Sequence, residues 1–164
     1  MHTVATETSG AGLRIAVVVS RFNEDIGERL LQGALDTAAA NGVPEWGITV
    51  IMVPGAFELP MVANELAYSG RYDAIVCAGC VIRGETSHFD YVSAETTRGI
   101  AEVAREHRVP VTLGVITADN REQAEARSGG KKTNMGSDAM LAAINMANIF
   151  RELHSGLSGR SFQV

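Results

Sequence analysis

Four apolar runs recur along the chain, each followed by a longer stretch with helical spacing. Arg14 to Ser20 reads R-I-A-V-V-V-S, a β-branched run without polar alternation. That pattern predicts a strand covered on both faces, as in a parallel sheet. Ile48 to Val53, Ala74 to Gly79 and Val109 to Thr117 repeat it, the last opened by Val109-Pro110. From about Asp25 to Asn41, Ile26, Leu30, Ala34, Leu35 and Ala38 recur at helical spacing, and Asn41-Gly42 with Pro44 ends the pattern. A second helix is expected from Leu59 to about Tyr68, with Pro60 tolerable in a first turn.

The stretch Gly79 to Tyr91 launches a long helix whose face is marked by Phe89, Val92, Thr96, Ile100 and Val103. A short helix over 121–127, a turn Ser128-Gly129-Gly130 and a last helix from about Ser137 to Leu153 complete the series. On that last helix Met140, Leu141, Ile144, Met146, Ala147, Ile149, Phe150 and Leu153 cover more than one stripe, which predicts contact with another subunit as well as with the sheet. The alternation predicts a doubly wound parallel α/β layer in one domain spanning 1–164, with 1–12 an extended or mobile arm and 155–164 a polar tail. In such sheets ligands gather at the carboxyl ends of the strands, which would bring together Phe22-Asn23, Gly55 to Glu58, and Cys80 through His88.

Composition narrows the function classes. The 164 residues are 46% hydrophobic and 20% charged, which is ordinary for a globular domain. A net charge of −5 speaks against broad nucleic-acid or membrane binding and leaves room for a small anionic ligand at a local basic site. No run approaches transmembrane length, and Met1 to Gly12 lacks the basic start and apolar core of a secretory signal, so a cytoplasmic location is expected. Cys77 and Cys80 form a C-x-x-C within an apolar run; without a second cysteine pair or a histidine cluster they are expected to be buried structural thiols.

Gly84-Glu85-Thr86-Ser87-His88 offers hydroxyls, free backbone N–H groups and a helix dipole, all suited to a phosphate. The bland alternative is a capping box, Ser87 with Asp90, that binds nothing. His88 lies in the first helical turn, where the dipole disfavours an imidazolium and leaves the neutral ring available as a base; a satisfied structural histidine is the competing reading. His2, His107 and His154 look like surface residues. Phe22 and Phe57 fall at strand ends, where aromatics stack on a planar heterocycle or simply cap the core. Glu58 suits either a helix start or hydrogen bonds to a polyol, and Arg127, Lys131 and Lys132 either meet an anion or stay solvated.

As a set these residues resemble the lumazine synthase family of riboflavin biosynthesis. The resemblance is carried by R-F-N at 21–23, V-P-G-A-F-E-L-P at 53–60, Y-D-A-I-V at 72–76, G-C-V-I-R-G-E-T-S-H-F-D-Y-V at 79–92 and A-I-N-M-A-N-I-F at 143–150, and it covers about residues 12–154. It implies a flavodoxin-like three-layer sandwich, a four-stranded parallel sheet flanked by helices on both faces. It also implies condensation of 5-amino-6-(D-ribitylamino)uracil with 3,4-dihydroxy-2-butanone 4-phosphate to 6,7-dimethyl-8-ribityllumazine, with release of phosphate and water and without metal or organic cofactor. Carried over by position, Phe22 would stack on the pyrimidine, Ala56, Phe57 and Glu58 would hold the ring and ribityl chain, and Cys80, Val81 and Ile82 would line the pocket. Glu85 and Thr86 backbone amides with Arg127 would bind the phosphate, and His88 would transfer protons.

Two departures from the family pattern stand out. Asn134-Met135-Gly136 replaces the usual N-K-G, removing a lysine that contacts the ligand and leaving Lys131 or Lys132 as substitutes. Leu113 stands where a phenylalanine is supplied to the adjacent subunit's site, which keeps an apolar wall and loses a stacking face. The resemblance further implies a homopentamer with sites between subunits, association with riboflavin synthase, and, from the short turn Ser128 to Lys132, an icosahedral capsid of twelve pentamers. The competing functions are a shell-forming or flavin-binding relative weakened by Met135, and a redox protein using Cys77 and Cys80.

Overall fold

The computed structural model describes residues 3–4 and 7–158. Among them, β1 (Ile15–Ser20), β2 (Ile48–Val53), β3 (Ala74–Ile82) and β4 (Val111–Ala118) form one parallel sheet in the order β2-β1-β3-β4. β1 pairs with β2 from Ile15 opposite Ile48 to Ser20 opposite Val53, and with β3 from Ile15 opposite Ala74. The helices are α1 (Glu24–Ala40), α2 (Leu59–Tyr68), α3 (His88–His107), α4 (Arg121–Arg127) and α5 (Met135–Ser158). Parallel neighbours require crossover connections, so the helices return along both faces, as the apolar runs predict.

The period of two along each strand sorts the core into two halves. Ile15, Val17, Val19, Val76, Ala78 and Cys80 pack with Ile26, Leu30 and Ala34 of α1 and Met140 and Ile144 of α5. Ala16, Val18, Ile75 and Cys77 face the other way, onto Leu59 and Ala63 of α2 and Ile100 and Val103 of α3. Every residue of β1 is buried, so the central strand has no face left for water.

Boundaries moved in β3, β4 and α5, with β4 running Val111–Ala118 in place of the expected 109–117. β3 continues to Ile82, because Cys80, Val81 and Ile82 keep pairing with Ile116, Thr117 and Ala118. α5 starts at Met135 because the Asn134 side chain accepts the N–H groups of Gly136 and Ser137 while donating to the Arg29 carbonyl on α1. It runs on to Ser158, so the first part of the expected tail is helical; the rest of the tail and 1–2 and 5–6 of the arm lie outside the described residues. Residues 7–12 are tied down: Asn148 donates to the carbonyls of Glu7 and Ser9, and Arg151 to that of Gly12.

Cys77 and Cys80 are free and buried, with side chains on opposite faces of β3. Desolvation disfavours the thiolate, pushing Cys77 up to about 12 and Cys80 up to about 11, the latter also through the Asp25 charge. The redox reading needs an accessible, acidic thiol and finds neither here.

Two consequences are measurable. At pH 8 a pKa of about 12 leaves roughly one Cys77 in ten thousand as thiolate, so the native protein is expected to resist iodoacetamide and react at both cysteines only after denaturation; rapid native alkylation would contradict the burial. A Cβ on Gly136 would sit 1.9 Å from the Leu30 carbonyl oxygen, where α5 starts against α1. Gly136→Ala is therefore expected to cost about 2–3 kcal/mol in denaturant unfolding, because neither backbone can withdraw cheaply.

Candidate active site

The three loops that follow β1, β2 and β3 converge on one side of the strand ends. A cavity of about 730 Å³ opens there, lined by Phe22, Gly55 to Glu58, Cys80 to Ile82, Gly84, Thr86, His88, Phe89, Tyr91, Val92 and Glu95. Nine of the residues singled out from the sequence thus line one cavity: Phe22, Ala56, Phe57, Glu58, Cys80, Val81, Ile82, Thr86 and His88.

Phe22 is placed by its backbone. Its N–H donates to the Pro54 carbonyl at 3.1 Å, and the next residue, Asn23, adopts φ 60° and donates its side-chain N–H to the Cys80 carbonyl at 3.1 Å. The turn after the central strand is thereby pinned to both neighbouring strand ends. Phe22 is 72% exposed and Phe57 58% exposed, so neither caps the core, and both line the cavity. Ala56–Glu58 form a single 3-10 turn before α2, and Gly55 leaves room for the Glu58 carboxylate, whose Oε2 lies 3.0 Å from where a Cβ would stand.

On β3 the alternation separates side chains from backbone. Val81 packs on the α2 and α3 side with the cavity, whereas the Cys80 side chain belongs to the core under α1 and α5. Cys80 therefore meets the cavity through its backbone, and its thiol is not a ligand group.

The loop after β3 carries the polar chemistry. His88 is the first residue of α3, exposed, with its backbone N–H donating to Thr86 Oγ1 at 3.3 Å. The N–H groups of Glu85, Thr86 and Ser87 have no hydrogen-bond partner among the described residues. The expected Ser87–Asp90 capping box is not formed: Ser87 makes no side-chain cap, and the Asp90 carboxylate pairs with Arg83 instead. His107, expected on the surface, is half-buried, with Nε2 2.8 Å from Asn64 Oδ1.

Three predicted residues do not join the cavity within one chain. The Glu85 side chain is exposed and outside it. Leu113 lies on the edge strand β4, 42% exposed. Arg127 ends α4 and donates to its own helix at the Gln123 carbonyl, 3.2 Å away. Met135 packs against the core under α1 and α5, and Lys131 and Lys132 are exposed in the turn before it. Phe89, Tyr91, Val92 and Glu95 line the cavity and were not foreseen as site residues; their helical spacing on α3 after His88 was the available signal.

No cluster of metal-ligating side chains occurs among the described residues, and no helix among them is long and apolar enough to cross a membrane. The arrangement combines aromatic rings for a flat ligand, a carboxylate, unpaired N–H donors for an anion, and a histidine.

Comparison with known proteins agrees with this arrangement. The family model for 6,7-dimethyl-8-ribityllumazine synthase matches residues 12–151. A 6,7-dimethyl-8-ribityllumazine synthase of Clostridium kluyveri is 51% identical over 153 residues, 93% of this chain and 99% of the relative. One from Chlorobaculum tepidum is 52% identical over the same shares. With the family model spanning all four strands and the whole cavity, the chain belongs to the 6,7-dimethyl-8-ribityllumazine synthase family.

Proposed function

We propose that the chain condenses 5-amino-6-(D-ribitylamino)uracil with 3,4-dihydroxy-2-butanone 4-phosphate, forming 6,7-dimethyl-8-ribityllumazine with release of phosphate and water. The observation that carries this reading is one cavity lined by two exposed phenylalanines and by Thr86 and His88, in a loop whose N–H groups at Glu85, Thr86 and Ser87 have no partner among the described residues. A flat pyrimidine suits the rings and a phosphate the N–H groups.

Phe22 stacks on the pyrimidine, with Val81 and the backbone at Cys80 and Ile82 beneath it. Ala56, Phe57 and Glu58 hold the ring edge and ribityl hydroxyls, the carboxylate accepting hydrogen bonds. Glu85 and Thr86 N–H groups receive the phosphate. An amine and a ketone react without help once aligned, so the protein's contribution is mainly proximity. The uracil 5-amine attacks the ketone and water leaves; a proton is lost as phosphate departs; the ribitylamino nitrogen then closes the ring with loss of a second water. His88 relays protons in these steps, and the loop donors stabilise the departing phosphate.

Leu113 and Arg127 belong to this chemistry as parts of a neighbouring subunit's cavity, in a homopentamer whose further assembly into a capsid and association with riboflavin synthase follow from the family likeness. The exposed rings around the cavity and the broad apolar surface of α5 support a covering subunit. The two buried free thiols suit a reducing cytoplasm.

Mixing the protein with both substrates and following lumazine absorbance tests the reaction, and a rate equal to the uncatalysed mixture would leave the weakened shell-forming or ligand-binding relative as the reading. His88→Ala is expected to lower kcat about a hundredfold with assembly intact; an unchanged rate removes its proton-transfer role. Met135→Lys is expected to tighten phosphate-substrate binding about tenfold by adding a charged hydrogen bond, measured as KM for the butanone phosphate. Sedimentation is expected to give a pentamer or a multiple of it, and a monomer would refute the shared cavity.

A further inference from the structure

Arg83 closes the loop that carries His88. Its backbone N–H donates to the Ala118 carbonyl at 2.9 Å, fixing its Cα at the end of β3. Its guanidinium reaches forward past the loop. Nη1 and Nη2 donate to the two Asp90 carboxylate oxygens at 3.2 and 2.9 Å, and Nε donates to Asp119 Oδ1 at 3.0 Å. Its Cζ lies 4.2 Å from the centre of the Phe89 ring. One side chain thus joins the end of β3, the first turn of α3 at Phe89 and Asp90, and the residue after β4. The enclosed segment, 84–87, is exposed, and its other cross-links are the His88 N–H to Thr86 Oγ1 and the Asp90 N–H to the Ser87 carbonyl.

We propose that Arg83 is a positioning residue for the phosphate-bearing substrate, holding Asp90 away from the loop N–H groups and fixing the segment 84–88 in its anion-receiving form. Folding energy does not explain the arrangement, because Arg83, Asp90 and Asp119 are all substantially exposed and exposed ion pairs contribute little to stability. Geometry does. A two-pronged bond to Asp90 sets the plane of the guanidinium, and the Phe89 ring packs against that plane, an arrangement that lysine cannot reproduce.

The competing state is written in the sequence. Ser87-His88-Phe89-Asp90 is a capping-box pattern, in which a released Asp90 carboxylate turns back to accept the Ser87 N–H. That state would occupy the unpaired N–H next to the two that receive the phosphate and place a negative charge beside it. Arg83 suppresses both effects by occupying the carboxylate from the far side.

This inference rests on the phosphate reading of the segment 85–88, and the experiment separates the two. Inorganic phosphate binding is measured by calorimetry, and ribitylaminouracil binding by fluorescence, for the unaltered protein, Arg83→Ala, Arg83→Lys, Asp90→Asn and the Arg83→Ala/Asp90→Asn double variant. Arg83→Ala is expected to weaken phosphate about tenfold and to raise KM for the butanone phosphate by the same factor. Pyrimidine affinity should stay within twofold and the melting temperature nearly constant. Arg83→Lys should recover only part of the loss. The double variant should bind phosphate better than Arg83→Ala alone, since its residue 90 carries no charge to misplace.

Absence of phosphate binding by the unaltered protein would overturn the subsite reading and the positioning role with it. Phosphate binding that Arg83→Ala leaves unchanged, equal weakening of both ligands, or a double variant no better than the single one would overturn the positioning role alone.

Discussion

Everything at the cavity depends on β1 being buried on both faces and paired on both edges. A strand with no exposed residue and two parallel partners cannot slip by one residue without moving each side chain into the opposite half of the core, among neighbours that do not fit it. Its neighbours are therefore held in step: β1 and β2 end side by side at Ser20 and Val53, and β3 runs on beyond Ala78, the partner of Val19, to Ile82 beside β4. The loops leaving those ends have nowhere to go except around one opening. The position of the site is a consequence of sheet packing, and its chemistry is supplied by what the loops carry.

The loops themselves are fixed by a few directed bonds rather than by burial. Asn23 accepts a left-handed backbone and spends its side chain on the Cys80 carbonyl, where an asparagine at a helix start ordinarily caps its own helix. Asp90 likewise leaves Ser87 uncapped and bonds to Arg83. In both cases a local capping interaction is given up for a bond between loops, and backbone donors at the start of α3 are left free. Such trades are expected where a site must stay open, because satisfied caps have nothing to offer a ligand.

The same division explains the uneven fate of the basic residues and of the edge strand. Arg83 follows β3, exposed and outside the cavity lining, and is committed to two aspartates. Arg127 and Leu113 lie on elements that turn away from the cavity of their own chain, with Leu113 on an outer strand that the helices leave partly uncovered. Met135 stands at the start of α5, where its side chain packs against the core under α1 and α5. A lysine there would have to carry its charged end out of that contact toward solvent or ligand, which a long flexible stem allows.

Read alone, the sequence determined the alternation of strands and helices, the burial of both thiols, and the grouping of Phe22, Ala56 to Glu58 and Val81 through His88. Those follow from hydrophobic period and from the rule that parallel strands end on one side, and neither needs coordinates. Only the tertiary structure decided that Cys80 meets the cavity through its backbone, that Asp90 belongs to Arg83 rather than to Ser87, and that Leu113 and Arg127 stand apart. Each is a choice between partners far apart in sequence, or between two faces of one strand. Local pattern names the candidates for such bonds, and the packing of the whole chain selects among them.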